Sequence, residues 1–167
     1  ITITITPTNV SCFGGTNGAL SANVVGGSPG YTLTWSNGPI GNPNTNLSAG
    51  VYTLTVLDTQ GCTKTQTATI TAPQQFTVTQ STTSVSCIGN CDGSGTVTVL
   101  GGNSPYTFQF NTLPVTTNTT GIISGLCVGS YTASITDASL CVTSTVITIS
   151  QPANLTAVFS TASLSCN

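Results

Sequence analysis

The chain has 167 residues, one basic side chain, three acidic ones, no histidine and a formal charge of −2. Such a chain has nothing with which to neutralise a phosphate backbone, which excludes nucleic-acid binding, and it holds no apolar run long enough to span a membrane as a helix. Its polar positions are Thr, Ser, Asn and Gln, and its strong hydrophobic alternation describes folded strands rather than disorder.

In chain order, ITITIT at 1–6 alternates with period two and is expected to be the last strand of a preceding structural copy. VSCFGGTNG follows at 10–18, then GGSPGYTLTW at 26–35. In the latter, Tyr31, Leu33 and Trp35 share one strand face while Thr32 and Thr34 take the other. LSAGVYTLTVLDTQGC at 47–62 places Tyr52, Leu54 and Val56 on one face in the same way. It closes in a turn signal: Asp58 accepts backbone N–H bonds and Gly61 supplies a positive φ. Thr suits the outward positions, being β-branched yet polar, although the resulting edges are flat and uncharged.

The chain then says the same thing again. VSCIGNCDG at 85–93 and GGNSPYTFQF at 101–110 repeat the first two blocks at an offset of 75, and LCVGSYTASITDASLC at 126–141 repeats the third at 79. The four extra residues fall in the loop after Ser36, where added length costs little entropy. Tyr106, Phe108 and Phe110 answer the first aromatic row, and Tyr131, Ala133 and Ile135 the second. Asp137 stands where Asp58 does, but Leu140 replaces Gly61, so this turn is expected to differ. The organisation expected is residues 1–6 from a preceding repeat, complete repeats at 7–73 and 74–152, and the start of a following repeat at 153–167. Each complete repeat has the size of a small domain. Seven or so short strands per repeat predict an all-β chain of tandem immunoglobulin-like β-sandwich modules in an extended array. Tyr31, Trp35, Tyr52, Tyr106, Phe108, Phe110 and Tyr131 are the expected core aromatics, with Tyr52 and Tyr131 also candidates for the corner tyrosine of that fold.

Seven cysteines in a chain this lean in charge point to an oxidising compartment and to disulfides. Equivalent positions suggest Cys12–Cys62 and Cys87–Cys141. Cys91 and Cys127 occur in the second repeat alone, where the first has Thr16 and Ser48, and are expected to bond each other. Closing about 50 residues stabilises a fold by roughly 4 kcal/mol in the chain-entropy model. Cys166 is left unpaired within this segment and is expected to begin the next repeat's bond.

The chemical inventory is nearly empty. With no histidine and only Asp58, Asp92 and Asp137 as acids, no general base serves the many Ser and Thr hydroxyls, so no catalytic residue is expected. No metal or other cofactor is expected either, since Cys87 and Cys91 lack a second ligand pair, and Asp92 beside Asn90 offers too few oxygens for calcium. Carbohydrate binding is the alternative reading, through Tyr31 and Trp35 as a stacking platform or, better, through the loops at 37–46 and 111–125. The alternation turns the rings inward, which favours packing.

Taken together, C-x-G-x3-G, the Gly-Gly block with its aromatic strand, G-x-Y-x-[LVA]-x-[VI]-x-D-x3-C and a run ending in Pro resemble the SprB repeat. The resemblance covers 10–73 and 85–152, with departures at Gly30, where Pro is expected before Tyr31, and at Leu140. It implies a secreted, extracellular cell-surface adhesin or filament built as a long tandem array, exported by type IX secretion and similar to adhesins used in gliding motility. The partners implied are adjacent repeats of the same chain, lateral neighbours in a filament, and an extracellular polysaccharide or substratum.

Overall fold

The computed structural model describes residues 1–156, and every regular element in that range is a β-strand. The chain divides into two compact units. One comprises Ile1–Val78, Val99–Thr107 and Ile135–Thr143; the other comprises Thr79–Thr98, Phe108–Ser134 and the described residues from Ser144. These units do not coincide with the sequence repeats at 7–73 and 74–152, because the first also contains a loop and a turn from the second repeat.

The first unit holds β1 (Thr2–Thr8), β2 (Gly18–Val25), β3 (Thr32–Trp35), β4 (Asn44–Leu47), β5 (Gly50–Leu57) and β6 (Thr63–Ile70). They form two three-stranded sheets, ordered β1-β2-β4 and β3-β5-β6. The pairs are antiparallel, with Thr32 opposite Leu57, Trp35 opposite Leu54 and Gly50 opposite Ile70. Alternation sends Leu20, Trp35, Leu54, Val56 and Ile70 into a core shared with Val10 and Leu47. Burying each such aliphatic side chain contributes about 1.5–3 kcal/mol, which sets the register.

Residues 1–6 are not the end of a preceding repeat. They belong to β1, which pairs with β2 along its whole length, from Thr2 opposite Val25 to Thr8 opposite Ala19. Ile1, Ile3 and Ile5 pack against the first core, so the alternation of ITITIT is spent within its own sandwich. The expectation for 153–167, including Cys166, lies beyond the described residues for all but its first four positions, which carry no regular structure.

The second set of strands is β7 (Thr77–Thr83), β8 (Gly93–Leu100), β9 (Thr107–Phe110), β10 (Thr116–Asn118), β11 (Ile122–Leu126), β12 (Gly129–Thr136) and β13 (Val142–Ile149). The sheets are ordered β11-β8-β7 and β10-β9-β12-β13. Val97, Val99, Phe108, Phe110, Ile123, Ala133, Ile135, Ile147 and Ile149 are buried by the same alternation. The strand β10 has no counterpart among β1–β6 and fits the loop that is longer by four residues. Both sets put the first, second and last-but-two strands in one sheet and the aromatic strand with the last two in the other. That is the division of an immunoglobulin-like sandwich.

Candidate functional site

The aromatic row lies inward. Trp35, Phe108 and Phe110 are buried, and the Trp35 indole Nε1–H donates to the carbonyl of Gly41 at 2.9 Å. Tyr31 and Tyr106 are half-buried, and their hydroxyls donate to the carbonyls of Gly26 (2.8 Å) and Gly101 (2.6 Å). Phe76 meets Tyr106 edge-on, with ring centroids 6.5 Å apart. Tyr52 and Tyr131, also half-buried, donate to the carbonyls of Ser48 and Cys127, each at 3.0 Å and four residues upstream. This is the tyrosine corner of the sandwich, formed in both repeats. No row of exposed rings remains for sugar stacking among these positions.

The two aspartate turns are built alike. Asp58 is buried, and its carboxylate accepts from the N–H groups of Ser28 (3.1 Å), Gln60 (3.0 Å) and Cys62 (2.9 Å). Asp137 accepts from Asn103, Ser139 and Cys141 at 2.8, 2.8 and 2.9 Å. Each carboxylate thereby ties its turn to the loop that follows the Gly-Gly pair, at Gly27 or Gly102. A Cβ on those glycines would stand 2.9 or 3.0 Å from the carboxylate oxygen, which explains the spelling of the loop. Hydrogen bonding, led by the Ser28 N–H, holds the Asp58 carboxyl below its ordinary range. For Asp137 burial opposes ionisation, and the three N–H donors outweigh it to the same end. Carboxylates held ionised by three backbone donors are turn builders.

The second turn does not differ as the sequence implied. Leu140 adopts φ 63°, beside 81° for Gly61, and both residues donate their N–H to the aspartate carbonyl, at 3.0 and 3.1 Å. The leucine side chain is 80% exposed, so only the backbone is strained.

The cysteines correct the expected map. Cys12 is bonded to Cys141, within the first unit, and Cys91 to Cys127. Cys62 and Cys87 are free and exposed, so neither Cys12–Cys62 nor Cys87–Cys141 is present. Repeat equivalence identified which positions pair, an opening cysteine with a turn cysteine. It could not say whether the two come from the same repeat.

The loops weighed as binding surfaces spend their amides internally. Asn42 brackets Ala22, accepting from its N–H (2.8 Å) and donating to its carbonyl (2.7 Å). The buried Asn44 pairs with Asn37 at 2.8 Å. In the second repeat Asn111 accepts from Thr132 at 2.6 Å, while Asn118 accepts from Gly121 and donates to the Ile122 carbonyl, both at 2.9 Å. These asparagines were missed as structural residues; their crowding in two loops of unequal length was the available signal. Asp92 accepts from the N–H and hydroxyl of Ser86, whose hydroxyl contact is the chief reason its carboxyl sits below the ordinary range.

No group of three or more His, Cys, Asp or Glu that could hold a metal is found among the described residues. No helix long and apolar enough to cross a membrane is found among the described residues. Two open grooves stand out instead. One, about 460 Å³, lies beside the Cys12–Cys141 bond between Phe13, Phe76, Leu140 and Val142. The other, about 470 Å³, is lined by Cys87, Ile88, Pro152 and Leu155.

Fold and side chains together define a tandem of immunoglobulin-like β modules with the character of structural repeats. The family model of the SprB repeat, a module associated with cell-surface proteins, matches the chain at two places, residues 4–39 and 79–114, one in each copy. Each match begins within the first strand of its sandwich, β1 or β7. No curated protein matches the chain. Among solved structures, an amphioxus IgVJ-C2 molecule superposes with a TM-score of 0.39 at 13% identity, covering 82% of this chain and 97% of that one.

Proposed function

We propose that the chain is a non-catalytic, disulfide-stapled stalk segment of a secreted cell-surface adhesin or filament of the gliding-motility type, exported by type IX secretion. The observation that carries this reading is the commitment of the recognition-capable groups to the fold. The largest rings are buried or have hydroxyls bonded to backbone, and the loop asparagines bond strand edges. A sugar site needs such groups free and convergent in a pocket. Adjacent repeats of the same chain are then the principal partners. The Thr-rich, nearly uncharged strand faces support lateral self-association into filaments.

A glycan array probed with the intact chain tests the reading. Silence is the expected outcome, together with surface labelling of intact source cells by antibodies raised against the chain. Specific, saturable binding to one polysaccharide class, lost on replacing Asn37 or Asn111 in a still-folded variant, would convert the stalk into a carbohydrate-binding module.

A further inference from the structure

The Cys12–Cys141 bond joins the opening loop of one repeat to the aspartate turn of the next, and the two free cysteines occupy the same two positions. Cys87 is the opening cysteine of the second repeat, the counterpart of Cys12; Cys62 is the turn cysteine of the first, the counterpart of Cys141. Cys141 is 7% exposed and Cys12 half-buried, whereas Cys62 and Cys87 are both exposed. Each position is thus covered where its partner is present and bare where it is not.

The grooves make the same point independently. Beside Cys12, Phe13 and Phe76 form two sides of a groove whose remaining wall is the turn segment at Leu140 to Thr143. Around Cys87, Ile88 and Leu155 stand at the positions equivalent to Phe13 and Phe76, but among the described residues the groove's lining includes no turn segment. Ile88 is 52% exposed and Leu155 wholly so.

We propose that this repeat is stapled by staggered disulfides, the opening cysteine of each copy bonding the turn cysteine of the copy that follows it. The apolar groove at Cys87, Ile88 and Leu155 is therefore the seat for the Asp-x3-Cys turn of a further copy. Cys62 is the plug offered to the opening cysteine of a copy on the N-terminal side. The occupant is a second SprB-type copy, and the argument is continuity with the seat that Cys141 already fills. The inference does not depend on what the array adheres to.

Closing each staple removes two protons and two electrons. A small-molecule disulfide such as oxidised glutathione accepts them. The Cys87 thiolate displaces one glutathione thiol, and the turn thiolate then attacks the Cys87 sulfur and releases the second. One disulfide is consumed and one is formed.

The test lengthens the chain by one copy. Residues 1–75 are inserted between Asn154 and Leu155, and the original Cys62 and Cys166 are changed to Ser, so that the inserted copy alone carries a Cys62-type turn. After oxidation in a glutathione buffer, non-reducing peptide mapping should link Cys87 to the inserted turn peptide while retaining Cys12–Cys141 and Cys91–Cys127. Thiol titration should find one reactive thiol per chain in place of three. A map that keeps Cys12–Cys141 but leaves Cys87 alkylated overturns the proposal. So does one that bonds a Cys12-type peptide to the Cys62-type turn, or Cys87 to Cys141.

Discussion

The two repeats solve one problem with different chemistry. Both must hold the segment that leads from the aromatic strand across to the opposite sheet. The first does it with amides: Asn42 clamps β2, Asn44 pairs with Asn37, and the Trp35 indole caps Gly41. The second inserts the short strand β10 against β9, with Thr116 opposite Phe110, beside amide bonds from Asn111 and Asn118; its Cys91–Cys127 bond lies outside the crossing, joining the segment before β8 to the turn after β11. At the corresponding positions the first repeat carries Thr16 and Ser48. A framework fixed by alternating core residues and paired aspartate turns therefore leaves the crossing loop free to change its means of support. Variation accumulates where backbone satisfaction, not core volume, is the constraint.

If the cores are the common element, deleting from either should cost the most. Leu54 is fully buried opposite Trp35 on the neighbouring strand, and Leu54→Ala should destabilise the first repeat by about 2–5 kcal/mol. The sole tryptophan, Trp35, reports this directly through its fluorescence in urea unfolding. Phe110→Ala should cost the second repeat about 3–5 kcal/mol, followed by far-UV circular dichroism. A loss below about 1 kcal/mol at either site would show that the alternation does not carry the fold.

Next in size is the support unique to the second repeat. Replacing Cys91 by Thr and Cys127 by Ser gives it the residues of the first. Opening a bond of sequence separation 36 should lower its stability by about 2–4 kcal/mol. The Trp35 transition should stay where it was. Equal movement of both transitions would mean that the bond serves more than its own loop.

A smaller exchange concerns the turns. Gly61→Leu should cost about 1–2 kcal/mol, the strain of a left-handed residue, since a Cβ there meets nothing within 4 Å. The reverse change, Leu140→Gly, should stabilise by less than about 1 kcal/mol, because glycine's greater freedom when unfolded offsets part of the relief. Chemical denaturation of the two variants measures both signs.

Much of this fold was legible because its signals are local. Period-two runs such as TLTW and TVTV state their own burial, and the aspartate four residues before a cysteine announces its turn. What escaped needed knowledge of partners. ITITIT resembles the closing run ATIT, which led to its assignment to another repeat. The offset of 75 that aligns the cysteines also lays Thr2 on Thr77 in β7, and so already placed it first in its own sandwich. The disulfide register escaped for a deeper reason, since a repeat relation is unchanged when every partner is shifted by one whole copy. Leu140 showed that a strong hydrogen-bond frame around Asp137 can impose a conformation which the residue itself disfavours.

The last difference between the repeats is one atom group in the opening loop. Asn17 accepts the Ser11 N–H at 3.1 Å in the first repeat; Asp92 accepts the Ser86 N–H at 2.9 Å in the second. Only the second can titrate. The Ser86 hydroxyl and N–H stabilise the ionised form and hold the Asp92 carboxyl below the ordinary carboxylate range. A depressed folded-state pKa contributes stability that is present above the ordinary carboxylate range and disappears as the pH falls through the folded-state value. Amide exchange measured between pH 6 and 2 should therefore loosen Ser86 at the acid end relative to Ser11, after correction for intrinsic rates. Asp92→Asn should abolish that difference while leaving Ser86 protected, because an amide oxygen in the same place accepts the same N–H. Parallel loosening of both serines would trace the acid limb to Asp58 and Asp137, whose turns are common to the two repeats. Protection of Ser86 that persists unchanged to pH 2 would show that the carboxylate is not what holds the loop.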